Sequence, residues 1–134
     1  MDQREYEEKY NKIKSGLREF GEKKQVCLAL KRVLEIEEED REREIKVAYT
    51  RNEEIEEDWR NRNMIGNKGY LFRENEAILR KINFARNDLL QNSFEDLSQY
   101  TKELSLKEEE YRERLLKLTQ EYENQKEEED GTYY

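Results

Sequence analysis

The sequence predicts an all-α fold, two long antiparallel helices forming a coiled-coil-like helical hairpin. Its composition is the first reason. Of the 134 residues, 45% are charged and only 34% hydrophobic, whereas a compact globule is about 45–50% apolar and about 25% charged. Such a chain cannot wrap a wide core, but it can bury a narrow stripe along a long helix. The second reason is continuity. There is no Pro to interrupt a helix, and Glu, Lys, Arg, Leu and Gln, which are common here, are good helix formers. The third is a single internal break. The stretch 58–70, DWRNRNMIGNKGY, gathers Asn61, Asn63, Asn67, Gly66 and Gly69 beside the only Trp, Trp59. Gly and Asn are the residues that turns require, so this stretch reads as the turn of a hairpin.

Helix 1 is expected over about residues 4–57. Tyr6, Tyr10, Ile13, Leu17, Phe20, Cys27, Leu34, Ile45, Ala48, Ile55 and Trp59 fall on one series of 3-4 spacing, the signature of a helix that buries one face. Lys24, Lys31, Glu38, Arg41 and Asn52 occupy its remaining positions. Gly16 and Gly21 each weaken the helix by up to about 1 kcal/mol relative to Ala. Val26–Ile36, VCLALKRVLEI, is apolar almost all round, which predicts burial on more than one side. The run Glu37–Glu44, EEEDRERE, has no apolar residue and reads as a solvated face.

The turn is expected over about 58–67, with Trp59, Gly66 and Gly69 as its defining residues. Helix 2 follows over about 68–123, with Asn67 as its N-cap. Its first half places Leu71, Ile78, Ile82, Ala85 and Leu89 in 3-4 spacing, and its second half Leu90, Phe94, Leu97, Thr101, Leu104, Tyr111, Leu115, Leu118 and Tyr122. The step from Ala85 to Leu90 is five residues, which would turn the apolar face by roughly 100°. Residues 1–126 form one hairpin domain in this reading, and 127–134 an acidic, disordered tail.

Charge and residue types narrow the function. The net charge of −8 argues against nucleic acid, because phosphate binding needs a basic stripe, and against an anionic membrane surface. No apolar run approaches the roughly 18–20 residues of a membrane span, so no membrane insertion is expected. The first residues, MDQREYEEKYNK, lack the apolar core of a signal peptide. The expected location is the cytoplasm, with co-secretion by a non-classical route as the alternative.

There is no His, the commonest general base and nitrogen metal ligand. The lone Cys27 sits in an apolar stretch and reads as an inert core thiol. No glycine loop matches a phosphate cradle. The residues therefore imply no catalytic site, no metal site and no cofactor, and the expected function is binding.

Two similar helices with a Trp at the turn resemble the small helical hairpins of the WXG superfamily, handled by type VII secretion systems. Here Trp59 is followed by Arg60 and Asn61, so the Trp-x-Gly tripeptide itself is missing. The closer resemblance is to the LXG-toxin-associated α-helical proteins of Gram-positive type VIIb systems. The turn Trp, the following Gly and Phe, and the ending EEEYRERLLKL in helix 2 carry it. That resemblance implies an adaptor or targeting chaperone that binds the helical N-terminal domain of an LXG toxin, with a second small helical protein as a further partner. It also implies a Phe-x-x-x-Asp export element, matched in letters by Phe84-Ala-Arg-Asn-Asp88, which lies in mid-helix. The alternatives are a self-associating structural coiled coil and a hairpin chaperone of another export system.

Folding the chain about residue 64 makes residue i face about residue 128 − i. The charged run Glu37–Glu44 then opposes an apolar stretch of helix 2, and the mismatch predicts a docking strip for helices of another chain. Its expected residues are Phe84, Asp88, Leu89, Leu90 and Phe94, joined by Leu28, Leu30 and Val33. Phe84 is expected outside the intramolecular seam. A homodimer is expected when the partner is missing.

Overall fold

A computed structural model describes residues 1–131. It is all-helical among these residues, with α1 over Gln3–Asn61 and α2 over Tyr70–Gly131 packed against each other as a hairpin. The predicted fold class holds, and both helices run further than expected.

Each helix boundary has a local cause. Asp2 caps α1, its carboxylate accepting the Glu5 backbone N–H at 2.8 Å, which satisfies one of the donors a helix start leaves open. The other end is a Schellman motif. Asn63 takes the left-handed conformation at φ 54°. Its N–H bonds the Arg60 carbonyl at 3.1 Å, and the Met64 N–H bonds the Trp59 carbonyl at 2.8 Å. That pairing closes the last carbonyls of the helix, so α1 ends at Asn61 rather than near Glu57. Gly66, at φ 49°, makes the second left-handed step. Backbone bonds from Lys68 to Ile65 and from Leu71 to Lys68 then bring the chain into α2. Asn67 therefore lies inside the turn, not at the expected cap.

At the far end α2 continues through 127–131, where a disordered tail was expected. Gln125 bonds the Glu129 carboxylate one turn on at 3.5 Å, and Lys126 lies 5.4 Å from the centre of the Tyr122 ring. Pairs at this spacing support a helix, and no Pro or Gly interrupts it before Gly131. Residues 132–134 of the expected tail lie outside the described residues.

The contacts divide the hairpin into two units, Met1–Ala29 with the chain from Leu97 onward, and Leu30–Asp96. In the first, Tyr6 and Tyr122 stack with ring centres 4.1 Å apart, and Phe20 meets Tyr111 edge-on at 4.9 Å. Cys27, Leu104 and Leu118 are its buried apolar residues. In the second, Trp59 meets Phe72 edge-on at 5.2 Å, and Asn52 donates to the Phe72 carbonyl at 3.1 Å. These pairs lie close to the facing of residue i with about 128 − i.

The buried stripe of α1 follows the predicted series except at Lys31 and Ile55, which are exposed, and that of α2 follows it from Leu90 onward. The first half of α2 does not. Leu71, Ile78, Ile82, Ala85 and Leu89 are exposed, and the positions turned inward are Phe72, Leu79, Asn83, Arg86, Asn87 and Leu90. The expected five-residue jump is therefore absent, replaced by two consecutive four-residue steps, Arg86 to Leu90 to Phe94, a stutter that locally relaxes the supercoil.

The reason lies in the charged run of α1. Arg41, read as part of a solvated face, is 7% exposed, and its guanidinium donates to the Asn83 side-chain carbonyl. A buried cation facing only apolar groups would carry a desolvation cost of several kcal/mol (order of magnitude). Turning Asn83 and Arg86 inward gives the charged run polar partners instead.

Candidate docking face

The second unit carries an apolar stripe on its outside. At about 100° per residue, Leu71, Ile78, Ile82, Ala85 and Leu89 lie within about 40° of a common line along α2. Each precedes an inward-facing residue by one, as Ile78 precedes Leu79 and Ile82 precedes Asn83, so the stripe sits roughly 100° round the helix from the seam. Ile78, Ile82 and Leu89 are 54%, 47% and 68% exposed.

On α1 the same side of the unit presents Val47 and Ile55, both about half exposed. Ile55 and Ile78 line one shallow concavity with Ala48, Asn52, Asn75 and Leu79. That places apolar atoms of both helices on one surface. The edge is fixed by Arg86, whose guanidinium meets the Glu44 carboxylate at 2.8 Å across the two helices.

The residues expected in a docking strip do not form one surface. Leu90 and Phe94 are half-buried on the seam of α2 and belong to the intramolecular packing. Leu89 is on the outer stripe. Phe84 is 73% exposed and outside the seam, as expected, but it and the exposed Asp88 project to a third side of α2, roughly 140° from the stripe for Phe84. Val26–Ile36 is not enclosed. Cys27 is buried and Leu34 half-buried, while Val26 and Leu28 in the first unit, and Leu30, Val33 and Ile36 in the second, are exposed. Among the described residues only one side of this apolar stretch is buried.

Of the turn residues, Trp59 is half-buried against Phe72. Gly66 supplies a left-handed step. Gly69 has its ideal Cβ position 3.8 Å from the Ile65 side chain, an ordinary contact that does not demand Gly. By period alone Ile78, Ile82 and Ile55 fall on the seam. The signal that separates stripe from seam is polar pairing: Asn83 and Arg86 match the charged run of α1, and the apolar series beside them does not.

Polar groups in the first unit do structural work. Lys24 bonds Glu108 at 2.8 Å between the helices, and Arg112 stands 3.8 Å from the other Glu108 oxygen. The Lys24 hydrogen bond and the two cations hold the Glu108 carboxyl below its ordinary range, and burial opposes them only partly. Among the described residues no group of three or more His, Cys, Asp or Glu side chains is placed to hold a metal ion. No helix among them is long and apolar enough to cross a membrane. Compared with protein-family models, curated proteins and solved structures, the chain matches none.

Proposed function

We propose that this protein is a non-catalytic adaptor that docks helices of another chain on the outer stripe of its second unit. One observation carries the reading: Ile78, Ile82 and Leu89 form an exposed apolar line along α2, next to Val47 and Ile55 of α1. Contiguous exposed apolar strips of this kind mark binding sites, and a helix laid into such a groove gains affinity through anchors at i, i+3, i+4 and i+7. The seam of the same unit is rich in polar residues, Arg41, Asn52, Asn83 and Arg86 among them. Apolar side chains there lie largely outside the hairpin, where a partner's helices would cover them.

The resemblance to LXG-toxin-associated proteins supplies the partner, the helical N-terminal domain of an LXG toxin, and the role, targeting that toxin for type VII secretion. The test is co-expression of this chain with such a domain. The reading expects a stable complex on size-exclusion chromatography and its loss in Ile78→Glu/Ile82→Glu, with helicity by circular dichroism retained. A wild-type chain that elutes apart from the domain contradicts the toxin partner. A chain that instead assembles only with itself through this stripe points to a structural coiled coil.

A further inference from the structure

The first unit holds a groove of a different character. It is a shallow concavity of about 710 Å³ whose floor is apolar, formed by Ile13 of α1 and by Tyr111 and Leu118 of α2. Its walls carry four cations and two carboxylates, Glu19 on α1 and Glu121 on α2. Lys9 and Lys12, one turn apart on α1, form one side, and Arg114 and Lys117, one turn apart on α2, form the other.

Among the described residues none of these four cations makes an ion pair. Arg114 lies over the Tyr111 ring, 5.2 Å from its centre. Some cations of the unit pair with carboxylates, as Lys23 does with Glu19 and Lys24 with Glu108, whereas others outside the groove, such as Lys14 and Arg18, form no ion pair among the described residues. In a chain with 34 acidic and 26 basic residues, a groove lined by four cations and two carboxylates reverses the bulk charge.

We infer that this groove docks an acidic segment of a partner protein. The occupant seats an apolar side chain on Ile13 and Leu118 and sets carboxylates against the Lys9–Lys12 and Arg114–Lys117 walls. Charge complementarity of this kind steers and orients an encounter, and a floor of aliphatic carbon with an aromatic ring gives the apolar side chain its place. A phosphate backbone matches the cations but has nothing to set on that floor. This site is independent of the stripe on the second unit and does not rest on that assignment.

The test uses the full chain and fluorescence anisotropy with a labelled synthetic peptide carrying Leu at helical a and d positions and Glu at the flanking ones. The same peptide with Lys for Glu, and a single-stranded DNA of equal charge, are the comparisons. The Glu peptide is expected to bind, to weaken as salt rises from about 50 to about 300 mM, and to lose about tenfold or more in affinity to Lys12→Glu/Lys117→Glu. Both side chains are exposed, so the circular dichroism spectrum of that variant is expected to match the wild type. No binding of the Glu peptide, equal binding of the Lys peptide, or DNA bound as tightly as the Glu peptide would each overturn the inference. So would a wild-type dimer in sedimentation that the double variant dissolves, because the groove would then hold the acidic C-terminal turns of a second copy.

Discussion

Tyr111 lies so close to Gly16 that a Cβ at Gly16 would come 2.3 Å from its Cε2. The ring is held there by the edge of Phe20 and by the Arg114 guanidinium. Gly16 therefore trades helix propensity for an aromatic ring laid directly on the α1 backbone. Gly21, in the same helix, has nothing within 4 Å of its Cβ position.

The two glycines predict opposite outcomes for one substitution. Gly21→Ala is expected to stabilise the protein by up to about 1 kcal/mol through helix propensity. Gly16→Ala gains the same propensity but must displace the Tyr111 ring, and overpacking of this kind costs about 1–3 kcal/mol. Chemical denaturation of both variants checks the sign. Stabilisation by Gly16→Ala would show that the ring moves aside freely.

The pair of Lys24 and Glu108 gives the first unit an acid-sensitive contact. Because the folded carboxyl titrates below its ordinary value, its contribution is complete above the ordinary carboxylate range and is lost as pH falls through the lowered folded value. Lys24→Met removes the largest stabilising contact. It is expected to cost about 1 kcal/mol at neutral pH, a modest figure because the Lys24 side chain is 35% exposed. It is also expected to flatten the acid limb that Glu108 contributes, because without Lys24 the folded carboxyl returns towards its ordinary value. Glu108→Gln is expected to flatten that part of the profile. Melting temperature against pH from about 2 to 7 reads both effects.

Seam and outer residues of α2 separate by stability. Leu104 is buried, and Leu104→Ala is expected to cost about 2–5 kcal/mol. Phe84→Ala removes a larger side chain but an exposed one, so its expected change is within about 0.5 kcal/mol. Urea midpoints of the two variants make the comparison, and a loss at Phe84 as large as that at Leu104 would place Phe84 in the packing.

The turn depends on two left-handed residues of different kinds. Asn tolerates that conformation and Ala does not. Gly66→Ala, at φ 49°, is expected to cost about 1–2 kcal/mol, although its Cβ would meet nothing within 4 Å. Asn63→Gly is expected to leave the Schellman bonds intact and to change stability by less than about 1 kcal/mol. Thermal melts of both check that strain, not crowding, governs the site.

Much of this architecture is legible in the residues because a coiled stripe repeats. The series from Tyr6 to Trp59 and from Leu90 to Tyr122 carries enough apolar members for spacing to locate the buried face, and the Asn and Gly cluster locates the turn. Spacing misleads between Leu71 and Leu89, where α2 has two candidate faces one residue apart. The apolar one looks like a seam by period alone. The face that turns inward is chosen by Arg41, a buried cation that requires Asn83 opposite it, and cross-helix pairing of that kind has no local period. The same omission hides most of the outer stripe, since Leu71, Ile78, Ile82 and Ala85 fall on the seam by period, while Leu89 is expected on an exposed strip. The tail 127–131 was missed for a different reason: acidic composition suggests fraying, while pairs one turn apart such as Gln125 with Glu129 support the helix.

The outer stripe of the second unit is proposed to bind a helical partner. Its most direct test is the dissociation constant for an LXG toxin's helical N-terminal domain, measured by isothermal titration with the wild type, Ile82→Glu and Leu116→Glu. Both leucine and isoleucine are exposed, but only Ile82 is on the stripe. Leu116→Glu is expected to bind within about twofold of the wild type, whereas Ile82→Glu is expected to weaken binding by about 30-fold or more, the effect of a charge set in an interface core. Wild-type affinity in Ile82→Glu would contradict it.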